Sequence, residues 1–233
     1  GDRARTRAFI RVQEGCDHHC TYCLTRVARG KSRSRRLDNI CRDISAALDG
    51  GAKEIVLTGV QLGGWGKDFE NPASMADLLA GILALDGFDR LRLSSIEPWD
   101  LDPSLMAFWE DERLCHHLHI PLQSGNDCTL KSMGRPINTQ QYASLLDAIR
   151  KAVPDIAITT DVIAGFPGET EEDFDSTKAF IEKMAFAGGH VFTFSPRMGT
   201  PAYHMKDKVH PQVAKARNAE MRNILSITGR SYR

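Results

Sequence analysis

The chain has 233 residues, of which 42% are hydrophobic and 26% are charged. This composition is typical of one globular unit, and it excludes a disordered tail, a collagen-like fibre and a small disulfide scaffold. Thirty basic and thirty acidic residues cancel, but residues 1–36 contain ten basic and three acidic residues, a net charge of +7, and the remainder carries −7. Because this asymmetry is typical of a basic arm on an acidic body, the neutral total does not exclude nucleic acid.

Hydrophobic periodicity predicts strands that alternate with helices. In chain order, we predict strand Ala8–Glu14, helix Leu37–Leu48, strand Glu54–Val60, helix Ser74–Leu85, strand Arg90–Ile96, helix Pro103–Trp109, strand His117–Gln123, helix Thr139–Val153, strand Ile156–Gly165, helix Glu171–Phe186, strand Gly189–Ser195 and helix Pro211–Thr228. Ser74 and Thr170 are predicted N-caps, each followed three residues later by an aspartate. No run approaches 18 apolar residues, so we expect no membrane span.

The alternation predicts an α/β fold with right-handed crossovers and a parallel sheet. Six strands are fewer than the eight of a closed barrel, so we expect an open partial (βα)6 barrel with six parallel strands in one domain. A doubly wound sheet also fits the pattern. In both folds, functional residues follow the C-terminal ends of the strands.

Three cysteines lie in the loop that follows the first predicted strand. Cys16, Cys20 and Cys23 have the spacing C-x3-C-x2-C, which allows three thiolates to converge on one centre. Thiolates suit both iron–sulfur clusters and zinc. Three of them leave one iron of a four-iron cluster open, whereas zinc would take His18 or His19 as its fourth ligand. The spacing indicates a metal site and leaves these two alternatives open.

The trio, with an aromatic residue before its last cysteine, resembles the signature of the radical S-adenosylmethionine (SAM) enzymes. Further segments resemble, in order, those of the methylthiotransferase branch, and most closely the enzymes that methylthiolate N6-threonylcarbamoyladenosine at position 37 of tRNA. The resemblance covers residues 8–205 and rests on EGCDHHCTYCLTRVARGKSRSR, LTGVQLGGWG, LRLSSIEP, LHIPLQSGNDCTLKSMGR, TTDVIAGFPGETEEDF and FTFSPRMGTPA.

The resemblance implies a 4Fe-4S cluster on Cys16, Cys20 and Cys23, with SAM at the open iron and a 5′-deoxyadenosyl radical as its product. It also implies an electron donor such as a flavodoxin or ferredoxin, and a cytoplasmic location. No side chain is assigned a catalytic role. The residues expected to contact SAM are Tyr22 near the adenine, Gly63 and Gly64 at the amino group, Ser95, Glu97 and Gln123 at the ribose and methionyl groups, Arg135 at the carboxylate and Phe194 beside the adenosyl group.

A cluster of cations directly follows the cysteine loop. Phosphates are natural partners for such a cluster, although a solvated charged face is the commoner explanation. Because these cations lie beside a site that resembles that of a tRNA-modifying enzyme, we interpret them as contacts to the anticodon loop of tRNA. The target base of that loop must be unstacked to reach the site. The cations are Arg26, Arg29, Lys31, Arg33, Arg35 and Arg36.

Enzymes of this family usually carry an N-terminal domain with a second cluster and a C-terminal RNA-binding β-barrel. We therefore expect residues 1–233 to be the central catalytic domain, a fragment of a longer protein. The expected reaction is methylthiolation of the C2 position of the tRNA nucleoside. One alternative is the same chemistry on an aspartate of a ribosomal protein, and another is a zinc-stabilised RNA-binding module without catalysis.

Overall fold

The computed structural model describes residues 6–232. They form strands β1 to β7 and helices α1 to α7. The strands are Arg7–Glu14, Arg33–Ser34, Glu54–Gly59, Arg90–Leu93, His117–His119, Ala157–Ala164 and Gly188–Thr193. The helices are Thr25–Arg29, Leu37–Asp49, Met75–Leu83, Asp127–Ser132, Thr139–Ala152, Glu171–Met184 and Pro211–Tyr232. Within the described residues, no helix is both long enough and apolar enough to cross a bilayer.

The chain divides into two compact units. The first comprises residues 6–17, 25–119 and 152–156, and the second comprises residues 18–24, 120–151 and 157–232. The cysteine loop belongs to both, because Cys16 lies in the first unit whereas Cys20 and Cys23 lie in the second.

The first unit is built on strands in the order β2-β1-β3-β4. β1 and β4 run parallel to β3, and the two-residue β2 pairs antiparallel with β1. An isolated bridge from Ser95 to His119 continues this order towards β5. Side chains alternate along β1, so Ile10 and Val12 are buried on the face that packs against α2. The carboxyl end of β1 leads directly into the cysteine loop.

The second unit is built on β6 and β7, which pair in parallel. The extended segment that begins at Ile120 lies along the other edge of β6, where the Ile120 N–H donates to the Thr159 carbonyl and the Gln123 N–H donates to that of Asp161. Helix α7 packs against β7. The carboxyl ends of the Ile120–Gln123 segment and of β6 therefore lie side by side.

The α/β alternation of the prediction is confirmed, but six parallel strands are not. The strand predicted over His117–Gln123 ends at His119, because Pro121 has no N–H to donate and Gln123 adopts a left-handed φ of 70°. The antiparallel β2 was not predicted. Both expected capping boxes are present, in which Ser74 and Thr170 accept from the N–H groups of Asp77 and Asp173.

Candidate functional site

The first cysteine of the loop is held by main-chain and side-chain hydrogen bonds within the first unit. Cys16 is half-buried, and its N–H donates to the Gly30 carbonyl at 3.1 Å. The next N–H, of Asp17, donates to Gln61 Oε1 at 2.9 Å, and the Asp17 carbonyl accepts from Arg26 Nη1 at 3.0 Å. Hydrogen bonds to Gly30, Gln61 and Arg26 therefore hold the backbone at Cys16 and Asp17 in place.

The other two cysteines lie on a tight turn of the second unit, where the Cys23 N–H donates to the Cys20 carbonyl at 3.1 Å. Thr21, between them, donates its N–H to the Met133 carbonyl at 2.9 Å and accepts from the Ala202 N–H at 2.8 Å. Cys20 is half-buried and Cys23 is exposed. The turn therefore presents two cysteines from an anchored backbone.

The donor set fits a soft metal centre. Three cysteines occur within eight residues on backbone that hydrogen bonds hold in place, and thiolate is the ligand type of iron–sulfur clusters. Across residues 6–232, no group of three or more His, Cys, Asp or Glu side chains is already assembled as a metal site. The fit rests on the ligand chemistry of Cys16, Cys20 and Cys23.

Three aromatic side chains of the second unit form one cluster. Phe166 is fully buried, and its ring lies edge-on to Tyr22 at 6.3 Å and to Phe194 at 5.2 Å, measured between ring centroids. Phe166 thus connects Tyr22 and Phe194, the two residues predicted to lie near the adenosyl group. Aromatic faces of this kind bind flat, apolar groups such as a purine.

Arg135 is buried in the second unit with only 5% of its surface exposed. Its Nη2 donates to the Pro121 carbonyl at 2.6 Å, and its Nη1 lies 3.5 Å from the Tyr22 hydroxyl. The preceding Gly134 has a φ of +71°, and a Cβ there would lie 3.0 Å from the His19 carbonyl oxygen. Arg135 therefore places a positive charge beside the aromatic cluster and the turn that carries Cys20.

Gln123 ends the segment beside β6 in a conformation that is costly for a residue with a side chain. Its φ of 70° is left-handed, yet its N–H donates to the Asp161 carbonyl and its carbonyl accepts from the Ile163 N–H. Such backbone strain is concentrated at functional sites in proteins. The strain is consistent with the predicted role of Gln123 at the edge of a ligand site.

The residues predicted in the first unit occupy different environments. Gly63 and Gly64 are buried in a 3₁₀ turn, and a Cβ on Gly63 would lie 2.5 Å from the Asp100 Cβ. Close packing therefore requires glycine at 63 whether or not a ligand binds. Ser95 is exposed, and Glu97 is half-exposed immediately before a 3₁₀ turn.

The predicted basic arm contains two kinds of cation. Arg26 is bonded to the Asp17 carbonyl, and Arg35 donates to the Arg11 carbonyl and pairs with Asp43 Oδ2 at 2.8 Å. Arg26 thus holds the cysteine loop, whereas Arg35 links β1 to α2. The remaining four side chains are exposed and available to a polyanion, namely Arg29, Lys31, Arg33 and Arg36.

A buried ion pair holds the turn that carries Phe166. Arg217 Nη1 lies 2.7 Å from Glu169 Oε1, and their side chains are 7% and 1% exposed. The same carboxylate oxygen accepts from the Gly165 N–H at 3.0 Å. Burial raises the pKa of Glu169, while the guanidinium and the Gly165 N–H stabilise its charged form. The pair is not recognisable from the sequence, because nothing local connects residues 169 and 217.

Comparisons with known proteins show what the chain is similar to. The model of the radical SAM superfamily matches residues 10–181. The threonylcarbamoyladenosine tRNA methylthiotransferase MtaB of Thermotoga maritima is 46% identical over 91% of this chain and 49% of its own length. The tRNA-2-methylthio-N(6)-dimethylallyladenosine synthase of Clostridium tetani is 37% identical over 96% of this chain and 50% of its own.

The fold also matches solved structures. The radical SAM methyltransferase TsrM from Kitasatospora setae, with cobalamin and a 4Fe-4S cluster bound, superposes with a TM-score of 0.68 over 84% of this chain and 38% of that chain. At 16% identity this likeness shows the fold alone.

The α/β fold is that of the radical SAM superfamily, whose model covers most of the chain. The chain therefore belongs to the radical SAM superfamily, and over most of its length it is 46% identical to a protein named as a tRNA methylthiotransferase. The chain spans about half the length of the curated relatives it matches.

Proposed function

We propose that residues 1–233 are the SAM-cleaving catalytic domain of a cytoplasmic enzyme that methylthiolates C2 of N6-threonylcarbamoyladenosine 37 in tRNA. The observation that carries the proposal is the anchored C-x3-C-x2-C loop, whose second half lies in one unit with the Tyr22–Phe166–Phe194 cluster. Held by the three cysteines, a 4Fe-4S cluster would supply the electron for SAM cleavage, received from a flavodoxin or ferredoxin.

The chain's own residues bind and orient the cofactor in this proposal. Cys16, Cys20 and Cys23 hold the cluster. Tyr22 and Phe194 pack against the adenosyl group, and the fully buried Phe166 supports their rings. Arg135 contributes positive charge for the SAM carboxylate, since a guanidinium binds carboxylates with paired hydrogen bonds. The remaining SAM contacts are assigned to the residues predicted from sequence, which are Gly63, Gly64, Ser95, Glu97 and Gln123.

The choice of nucleoside rests on the relatives. The Thermotoga protein named for threonylcarbamoyladenosine is 46% identical, whereas the Clostridium tetani protein named for dimethylallyladenosine is 37% identical. Both names specify tRNA, which disfavours the ribosomal-protein aspartate considered from sequence. A zinc-stabilised RNA-binding module without catalysis is disfavoured because the relatives are named as a methylthiotransferase and a synthase.

Anaerobic reconstitution of the chain with iron and sulfide tests the cluster. We expect about four irons per chain and formation of 5′-deoxyadenosine from SAM under reduction. The Cys16/Cys20/Cys23→Ala variant should lose both, whereas the matched control with Cys41, Cys115 and Cys128 changed to alanine should retain both. Stoichiometric zinc without sulfide, or iron uptake that survives loss of the loop cysteines, would contradict the cluster assignment.

The substrate is tested with the protein in its natural full length. Mass analysis of tRNA nucleosides from cells lacking it should show loss of the methylthio group from threonylcarbamoyladenosine, restored by the wild type but not by the Cys16/Cys20/Cys23→Ala variant. Loss of the group from dimethylallyladenosine instead would reassign the substrate. Unchanged tRNA with an unmodified ribosomal protein would favour the aspartate alternative.

The four exposed cations give a separate prediction for RNA binding. Changing Arg29, Lys31, Arg33 and Arg36 to glutamine should weaken binding of an anticodon stem-loop and reduce the slope of log affinity against log salt by about 3, since each phosphate contact contributes roughly 0.7–0.9. Titrations at several salt concentrations measure this slope. A control variant removes four exposed cations of the second unit, Lys183, Lys215, Arg222 and Arg230. Equal effects of the two variants would refute a specific role for the arm.

A further inference from the structure

Two buried glutamine side chains of the first unit converge on the backbone around Cys16. Gln13, at the end of β1, is fully buried, and Gln61, after β3, is 7% exposed. The Gln61 N–H donates to Gln13 Oε1 at 2.8 Å, so the two residues are joined directly. Burying two uncharged amides is costly unless their hydrogen bonds are satisfied, and here one partner of each amide lies in the cysteine loop.

Gln13 holds the residue before Cys16. Its Nε2 lies 2.8 Å from the Gly15 carbonyl oxygen and 2.9 Å from Ser32 Oγ, and it donates to these acceptors. It also lies 2.7 Å from the carbonyl oxygen of Glu14. The amide therefore connects the end of β1 and the basic arm to the first residue of the loop.

Gln61 holds the residue after Cys16. Its Oε1 accepts from the Asp17 N–H at 2.9 Å, and its Nε2 lies 3.3 Å from Asp100 Oδ2. Glycines make room for both amides, because a Cβ on Gly64 would lie 3.0 Å from Gln61 Nε2 and one on Gly59 would lie 3.2 Å from Gln13 Cβ. The Gly64 backbone that sequence analysis assigned to SAM therefore also accommodates Gln61.

We propose that Gln13 and Gln61 are positioning residues that fix the peptide groups on both sides of Cys16 and so hold its thiolate for the cluster. The inference rests on the proposed function, since Cys16 is taken as a cluster ligand. The amides contact the ligand's neighbours rather than the metal, and partners of this kind orient metal ligands. An amide suits the task because it offers both a donor and an acceptor. Gln13 donates to the Gly15 carbonyl and accepts from the Gln61 N–H, and Gln61 in turn accepts from the Asp17 N–H.

The first test measures metal retention. After anaerobic reconstitution, Gln13→Met and Gln61→Met should release iron to a chelator about 10- to 100-fold faster than the wild type, because outer partners of metal ligands typically contribute that factor. Methionine keeps the approximate volume of glutamine without its hydrogen bonds. The matched control is Gln141→Met, whose exposed glutamine accepts from the Asn138 N–H far from the loop in sequence and should release iron at the wild-type rate.

Exchanging the polar groups of residues 61 and 100 distinguishes a loss of positioning at Cys16 from a general loss of protein stability. Gln61→Glu keeps the acceptor for the Asp17 N–H but places a carboxylate beside that of Asp100, so iron release should accelerate. Adding Asp100→Asn restores a donor–acceptor pair between positions 61 and 100, and iron retention should recover in the double variant. Unchanged retention in both methionine variants, or no recovery in the double variant, would overturn the proposal.

Hydrogen exchange in the metal-free chain gives a readout that does not depend on iron. The peptide covering residues 14–18 should exchange faster in both methionine variants than in the wild type and the Gln141→Met control. Unchanged exchange would overturn the positioning role even if the wild type binds a cluster. If the methionine variants exchange faster but the wild type takes up no iron, the cluster assignment is refuted. The proposal that the two amides fix the backbone around Cys16 then still stands.

Discussion

Replacing Gly15 with alanine is expected to abolish iron loading of the chain. A Cβ at this position would lie 1.9 Å from the Lys31 carbonyl oxygen, and the φ of +69° is itself unfavourable for alanine. Because the obstacle is backbone, the loop must move, which breaks the hydrogen bond from the Cys16 N–H to the Gly30 carbonyl. Iron content after anaerobic reconstitution, measured beside thermal unfolding of the metal-free chain, tests this expectation.

Gly30→Ala is the matched control for this experiment. Gly30 has a similar φ of +77° and takes part in the same hydrogen bond, but apart from its chain neighbours no residue comes within 4 Å of a Cβ built there. It should therefore cost about 1 kcal/mol of stability for the left-handed conformation and leave iron loading intact. If Gly15→Ala loads iron as fully as Gly30→Ala does, the close approach at Gly15 does not control the cysteine loop.

Replacing Arg217 with methionine is expected to destabilise the chain by about 3 kcal/mol, because it leaves the carboxylate of Glu169 buried without its cation. The guanidinium also contacts Glu171 Oε2 at 2.8 Å and lies 5.0 Å from the centre of the Phe174 ring. Since Glu169 Oε1 binds the Gly165 N–H beside Phe166, the aromatic cluster should loosen as well. Urea unfolding followed by circular dichroism measures the loss.

The stability that Arg217→Met loses relative to the wild type should depend on pH in one direction. Burial raises the pKa of Glu169 above its unfolded value, so protonation of the carboxyl favours the folded state. The stability deficit of Arg217→Met should therefore be greatest at neutral pH and shrink as the pH falls towards the ordinary pKa of glutamate. A deficit that does not change with pH would indicate lost packing rather than an unpaired carboxylate.

Two further variants complete the test of the ion pair. Lys178 also lies over the Phe174 ring, at 4.5 Å, but it pairs with Glu220 at the surface, so Lys178→Met should leave stability nearly unchanged. The double variant Arg217→Met with Glu169→Gln removes both charges and should be more stable than Arg217→Met alone.

The sequence predicted helices and strands well where the residues that determine an element lie within a few positions of one another. Thr170 and Asp173 form the expected capping box, because both halves lie within one turn. Helix α7 was predicted to end at Thr228, but it continues to Tyr232. Gly229 does not end it, since its missing side chain instead permits close packing, with a Cβ position 2.8 Å from the Ala187 carbonyl oxygen.

The candidate site was predictable to the extent that its ligands share one loop. Cys16, Cys20 and Cys23 are recognisable from spacing, and their roles as ligands stay a prediction. Gln13 and Gln61 were not recognised, because a glutamine has no distinctive spacing and these two meet only when β1 and β3 pair. Arg35 was grouped with the RNA contacts because it lies in a cluster of cations beside the cysteine loop, and only the fold shows its ion pair with Asp43.

The use of neutral amides around Cys16 has a consequence for how the protein responds to its surroundings. Neither Gln13 nor Gln61 can gain or lose a proton over the biological pH range, and their contacts are buried from counter-ions. Contacts between the exposed cations and phosphate weaken steeply as ions are added. If the cations and the cysteines act as proposed, raising the ionic strength should release RNA from the arm, whereas the buried hydrogen bonds that fix the cysteine loop should persist.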